Sequence, residues 1–158
     1  PLRSPPAGEI PAQAAGRVEP VEKAELPEGA LVLLDSAPII FVLEHHPRQA
    51  SRYLPLFGRH QAGAIRFAVT TVSIAEVLVG PLKARREALA KRYRAVMESW
   101  LVVDLTADIA ESAARLRASL GLKIADAVQA SSAIAVNADA LVTHDRDFSR
   151  FSVLPVLS

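Results

Sequence analysis

Cysteine is absent from the 158 residues. Disulfides and thiolate metal sites are thereby excluded, and a reducing, cytoplasmic setting is expected. No apolar run approaches the roughly 18 residues that a membrane span needs, so no membrane partner is expected. A signal-peptide pattern is also missing, and position 1 is Pro rather than an initiator Met, so the natural N-terminus is expected upstream. Aromatic residues make up only 5% of the chain; its single Trp100 and five Phe are expected in the core. Excess charge is lacking too. The net charge of +1 says nothing about a partner.

What is present fits one folded domain. The hydrophobic fraction is 51% and the mean hydropathy +0.23, values of a chain that can build a core. Residues 1–29 hold six of the eleven prolines and few large apolar residues. They read as a Pro-rich, disordered leader outside the fold, which leaves 30–158 as the domain. Charge is unevenly spread. Between positions 45 and 94 lie ten Lys or Arg against only Glu76 and Glu87. Such a basic block suits a polyanion such as RNA, or else a solvated face or an acidic protein partner.

From residue 30, strand and helix patterns alternate. "ALVLLD", "IRFAVT", "LVVDL", "ALVTHD" and "VLPVL" read as strands. Between them, "PIIFVLEHH", part of "HPRQASRYLPLFGRHQAG", "SIAEVLVGPLKARREALAKRYRAVMESW", "TADIAESAARLRASLG" and "KIADAVQASSAIAVN" read as helical, with a break or kink expected at Gly80-Pro81. Thr106 and Gly121 suit the two ends of the fourth helical stretch. Strands separated by helices imply an α/β fold with a mainly parallel sheet of four to five strands.

Four acids share one predicted edge of that sheet. Asp35 and Asp145 follow the first and fourth predicted strands, and Glu76 and Asp126 lie at helix starts. Strand carboxyl ends and the starts of the following helices meet on the same side of a parallel sheet. Several carboxylates in one cleft repel one another, and a hard divalent cation, Mg²⁺ or Mn²⁺, removes the conflict. Such an ion, with phosphate chemistry and a basic block beside it, points to a nuclease. Each acid also has a local reading. "SIAE" is a capping box in which Ser73 would cap and Glu76 would return to it. Asp126 would favour the helix dipole, and Asp35 and Asp145 would satisfy turn amides.

The blocks "LVLLDSAPIIFVLE", "TTVSIAEVLVGPL" and "LGLKIADAVQASSAIAVNADALVTHDRDF" resemble, in order and spacing, those of the PIN-domain family, in particular the VapC-type toxins. The resemblance spans about residues 31–155. It implies a three-layer α/β/α fold, a Mg²⁺- or Mn²⁺-dependent ribonuclease, a homodimer, and inhibition by a VapB-type antitoxin. Carried over by motif, Asp35, Glu76, Asp126 and Asp145 match the family's four acids, and Ser36 matches a small hydroxyl residue that would bind a ligand or the metal's water. Two features depart from the family pattern: "KIAD" has Ile-Ala where Thr-Pro is more usual, and the leader is extra.

Two other classes stay open. An aspartyl phosphotransferase would also put Asp at a strand end, but the dehalogenase-like pattern wants a second Asp at position 37, which is Ala. A non-catalytic RNA- or protein-binding module would keep the acids only for structure. Asp147, Asp139, Asp104, Asp108 and Glu44 read as caps, turns or helix ends. Lys123 and Arg146 would hold phosphate or balance the acids. Ile40, Phe41, Tyr53 and Leu56 are candidates for a groove that receives a protein partner.

Overall fold

The first long apolar run is a strand, Leu31–Leu34, buried at every position. Successive side chains of a strand point to opposite faces, so this one needs cover on both sides. Val32 and Leu34 enter one core with Ile39, Tyr53, Leu56, Val77, Tyr93 and Met97. Leu31 and Leu33 enter a second core with Ile109, Ala113, Ala127, Ala130 and Ala133. Burial of each large side chain contributes about 1.5–3 kcal/mol, enough to fix the strand between two helical layers.

The computed structural model describes residues 18–158. Its strands are β1 (Val18–Glu19), β2 (Leu31–Leu34), β3 (Arg66–Thr70), β4 (Leu101–Val103), β5 (Ala140–Val142) and β6 (Val156–Leu157). Its helices are α1 (Ser36–Leu43), α2 (Ala50–Gln61), α3 (Thr71–Lys83), α4 (Glu87–Glu98), α5 (Ala107–Leu120) and α6 (Ile124–Ala135), with 3-10 turns at Val21–Lys23 and Asp147–Arg150. The sheet order is β1-β6-β5-β2-β3-β4, and every neighbouring pair is parallel. Helices α1–α4 cover one face and α5–α6 the other, giving the three-layer α/β/α architecture. No helix among the described residues is long and apolar enough to cross a membrane.

Three expectations change. The sheet has six strands rather than four to five, and the sixth comes from the segment read as leader. Residues 1–17 of that segment lie outside the described residues. From Val18 onward it runs within the fold: Val18 and Glu19 pair with Val156 and Leu157, and Val21 is buried against the core. Two residues are too short for an apolar pattern to show, and only β6 as a template reveals them. The break expected at Gly80-Pro81 falls later, because α3 continues to Lys83. Pro81 sits in the last turn, so only one helical hydrogen bond is lost. The chain turns at Arg85 (φ 56°), where the Arg86 N–H donates to the Pro81 carbonyl at 2.8 Å. Finally, Ser73 does not cap α3. Thr70 does, its hydroxyl accepting from the Ser73 N–H at 3.0 Å, so the helix starts three residues earlier than the capping-box reading and Glu76 falls in its second turn. The ends of α5 are as expected: Thr106 accepts from the Ile109 N–H, and Gly121 closes the helix at φ 71°.

Candidate active site

The connectivity places a switch point at β2. From β2 the chain steps through β3 to the edge strand β4, then returns through α5 and α6 to β5 on the other side of β2. Connections that leave in opposite directions open a crevice beyond the strand carboxyl ends, where α/β proteins bind ligands. The register is even across this crevice: Leu34 pairs with both Val69 and Val142. Thr143, Asp35 and Thr70 therefore form one row at the end of β5, β2 and β3.

Asp35 caps α1. Its Oδ1 accepts from the Ser36 N–H at 2.7 Å, and its Oδ2 accepts from the Thr143 hydroxyl at 2.8 Å. Burial nevertheless holds its pKa above the ordinary carboxylate value; those two hydrogen bonds oppose the rise, while the charges of Glu76 and Asp145 add to it. Asp126 enters from the opposite layer, in the first turn of α6, and is 7% exposed. Its Oδ2 is buried with no hydrogen-bond partner. Burial, then the charges of Asp145 and Asp35, push its pKa up to about 6. Asp145 differs: the Asp147 N–H donates to it at 2.9 Å and holds its pKa below the usual range, with Lys123 assisting.

Asp35, Asp126 and Asp145 thus come together at the crevice. Glu76 stands at its rim, exposed on α3, near enough for its charge to act on Asp35. The Ser36 backbone fixes Asp35, and the Ser36 side chain is half-buried at the start of α1. The donor chemistry suits a hard cation, because it is entirely carboxylate oxygen with one buried oxygen unpartnered. A cation already stands at its edge: the Lys123 Nζ lies 3.4 Å from Asp145 and 3.2 Å from Asp147. As folded, however, no three Asp, Glu or His side chains among the described residues form a ready set of metal ligands.

Several organising residues carry no motif of their own. Thr143 is fully buried and bonds twice, donating to Asp35 and accepting from the Asp145 N–H at 3.1 Å. Its signal was the threonine two places before Asp145 in "VTHD". Behind α3, the Gln129 amide donates to the Ser73 hydroxyl at 2.7 Å, tying α6 to α3 beneath the acids. The Tyr53 hydroxyl meets His144 Nδ1 at 3.1 Å. Burial, then Arg52 and Arg146, hold His144 below its ordinary pKa. Tyr53 and Leu56 are core residues, so they cannot line the partner groove expected of them; Ile40 and Phe41 pack against the same core. Asp139 serves the fold, accepting from the Leu31 N–H at 2.8 Å. A cavity of about 730 Å³ between α5 and α6, lined by Ile109, Leu116, Ser131 and Ile134, includes none of the four acids.

A family model described as PIN domain matches residues 32–154. None of the curated proteins compared matches the chain. Among solved structures, a chain of VapBC2 from Rickettsia felis, bound to a DNA fragment from their promoter, is 25% identical with a TM-score of 0.62, over 80% of this chain and 96% of that one. A toxin-antitoxin complex from Klebsiella pneumoniae gives the same figures. VapBC-5 of the VapBC family of toxin-antitoxin systems, from Mycobacterium tuberculosis, is 25% identical with a TM-score of 0.51, over 81% of this chain and 97% of that one. These neighbours support the resemblance to VapC-type toxins.

Proposed function

The chain belongs to the PIN-domain family, and from that premise we propose that it is a divalent-metal-dependent endoribonuclease, the toxin of a type II toxin–antitoxin pair. The observation that carries this reading is the meeting of Asp35, Asp126 and Asp145 at the switch point, with Asp126 raised to about 6 by burial and by the other two. Asp35, Glu76, Asp126 and Asp145 would hold Mg²⁺ or Mn²⁺. When bound, the ion supplies positive charge for the phosphodiester and a more acidic water.

The chain's own residues set the stage for that chemistry. Thr143 and the Ser36 N–H fix both oxygens of Asp35, so its direction is preset. Asp126 Oδ2 is buried with no competing donor, so it would be free to face the ion or its water. Lys123 neutralises Asp145 and Asp147 in the resting arrangement and is free to move onto a phosphate. A VapB-type antitoxin and a second copy of the chain are the partners that go with this reading, in a cytoplasmic setting.

The test is incubation of the purified chain with RNA and Mn²⁺ or Mg²⁺, beside Asp126→Asn and an EDTA control. Discrete products with 5′-phosphate ends are expected, with a loss of roughly a hundredfold or more in the variant. Cyclic-phosphate ends, or equal cleavage by Asp126→Asn, would overturn the reading. One observation favours the non-catalytic alternative: the Lys123 bridge to Asp145 and Asp147, where no ready ligand set exists. Under that alternative, RNA binding survives Asp126→Asn and no cleavage accompanies it.

A further inference from the structure

Beside the acids, on the α1–α2 side of the crevice, the surface turns basic and aromatic. Arg52 of α2 and Arg146, just after Asp145, line one cavity of about 440 Å³ with Ser149 and the segment Val18–Pro20. Glu19 and the terminal Ser158 also line that wall, yet no described residue forms an ion pair with either arginine. Two guanidiniums at one cavity without an ion pair to any described residue repel each other, and a phosphate that accepts from both removes the conflict. Next to this cavity His144 is pinned by the Tyr53 hydroxyl. The ring of Phe41 lies 5.1 Å from both His144 and His46, joining them in one aromatic row. His46 is exposed, and its orientation is set by Nδ1, which accepts from the amides of Arg48 and Gln49 at 3.3 and 3.2 Å.

We propose that this cavity and aromatic row form a nucleotide subsite for single-stranded RNA, with a backbone phosphate between Arg52 and Arg146 and an unpaired base stacked on His46. The inference rests on the ribonuclease reading and deepens it by naming where the strand next to the cut is held. Bases stack on exposed rings only when unpaired, and guanidiniums track the backbone, so the two features together select a single strand over a duplex. The wall from Val18 to Pro20 precedes the stretch matched by the family model. The subsite is thus completed by a segment outside that stretch, which gives β1 a purpose beyond closing the sheet edge.

The test uses the full chain carrying Asp126→Asn, which prevents cleavage, and a short fluorescent single-stranded RNA titrated across a salt series. Adding Arg52→Gln and Arg146→Gln should weaken binding about tenfold and reduce the salt slope by about 0.7, the loss of one phosphate contact. Arg52→Lys keeps the charge and should keep the slope, which separates a lost contact from a disturbed α2. His46→Asn keeps an acceptor for the Arg48 and Gln49 amides; it should weaken binding several-fold and leave the slope alone. Arg115→Gln, on the far layer, and a duplex of the same sequence are the controls. If the native chain cleaves RNA but the double variant binds as its parent does, the subsite is overturned and the nuclease reading stands. If the variants lose affinity as stated and the native chain cuts nothing, the subsite stands and the nuclease reading falls. If the chain carrying only Asp126→Asn does not bind the RNA, the subsite is overturned.

Discussion

The two helical layers cover the same sheet with different materials. Under α1–α4 the core is large and aromatic: Phe67 packs against Phe57, His60 and Trp100, with Tyr53 and Tyr93 further along. Under α5–α6 the helices themselves contribute small side chains, with Ala113, Ala127, Ala130 and Ala133 all fully buried, while Phe148 and Phe151 at the 3-10 turn supply the bulk of that core. Small side chains let a helix approach its neighbours closely, and α6 is buried continuously from Asp126 to Ala133. That close approach brings a carboxylate into the crevice from behind. The aromatic layer ends instead in the rings of Phe41, His46 and Tyr53 and in Arg52 near the crevice. One layer delivers an acid and the other offers a surface.

The strongest way to break this contrast is Phe67→Ala. Loss of a fully packed ring should cost about 3–5 kcal/mol in urea unfolding, and a loss well below that would mean the aromatic layer is not the main core. Overpacking the other layer comes next. Ala130→Leu should cost about 1–3 kcal/mol, because nothing beneath α6 can yield without moving it; a neutral result would contradict the close approach.

Asp126→Asn sharpens the contrast through pH. The native pKa of about 6 lies above the ordinary 3.8, so the folded chain binds the proton more tightly than the unfolded chain does. Stability from this group is therefore full below the ordinary value and declines as pH rises from there to about 6. Without metal, the variant should be more stable than the parent by about 1–2 kcal/mol at neutral pH and above, with the gain vanishing near pH 4. Melting curves across that range check it, and a gain independent of pH would show that the charge is not the cause. The smallest effect belongs to Thr143→Val, which removes two hydrogen bonds at the acid row. A loss of about 1 kcal/mol is expected, together with a further rise in the Asp35 pKa, measurable by NMR titration.

Much of this is legible in the sequence alone. Asp35 and Asp145 announce themselves as acids that end apolar runs, and Thr106 and Gly121 bracket α5 by local chemistry alone. The misses share a cause. Thr70 and Ser73 are both good caps, and only the length of β3 decides between them. Pro81 reads as a breaker until its place in a final turn is known. Val18–Glu19 has no pattern until β6 pairs with it. Thr143 looks like any strand threonine until Asp35 is found beside it.

By itself the sequence determined the alternation of strands and helices and the placing of four acids at one sheet edge, because apolar periodicity and carboxylate placement are local properties, and the order of its motif blocks carried the resemblance to the PIN-domain family. Only the tertiary structure decided which acids face one another and how their charges differ. Strand order and register put Asp35 beside Thr143 across 108 residues of chain, and burial beneath α6 raised Asp126 while an amide lowered Asp145. Proximity and desolvation depend on what packs around a group, and neither is written in its neighbours along the chain.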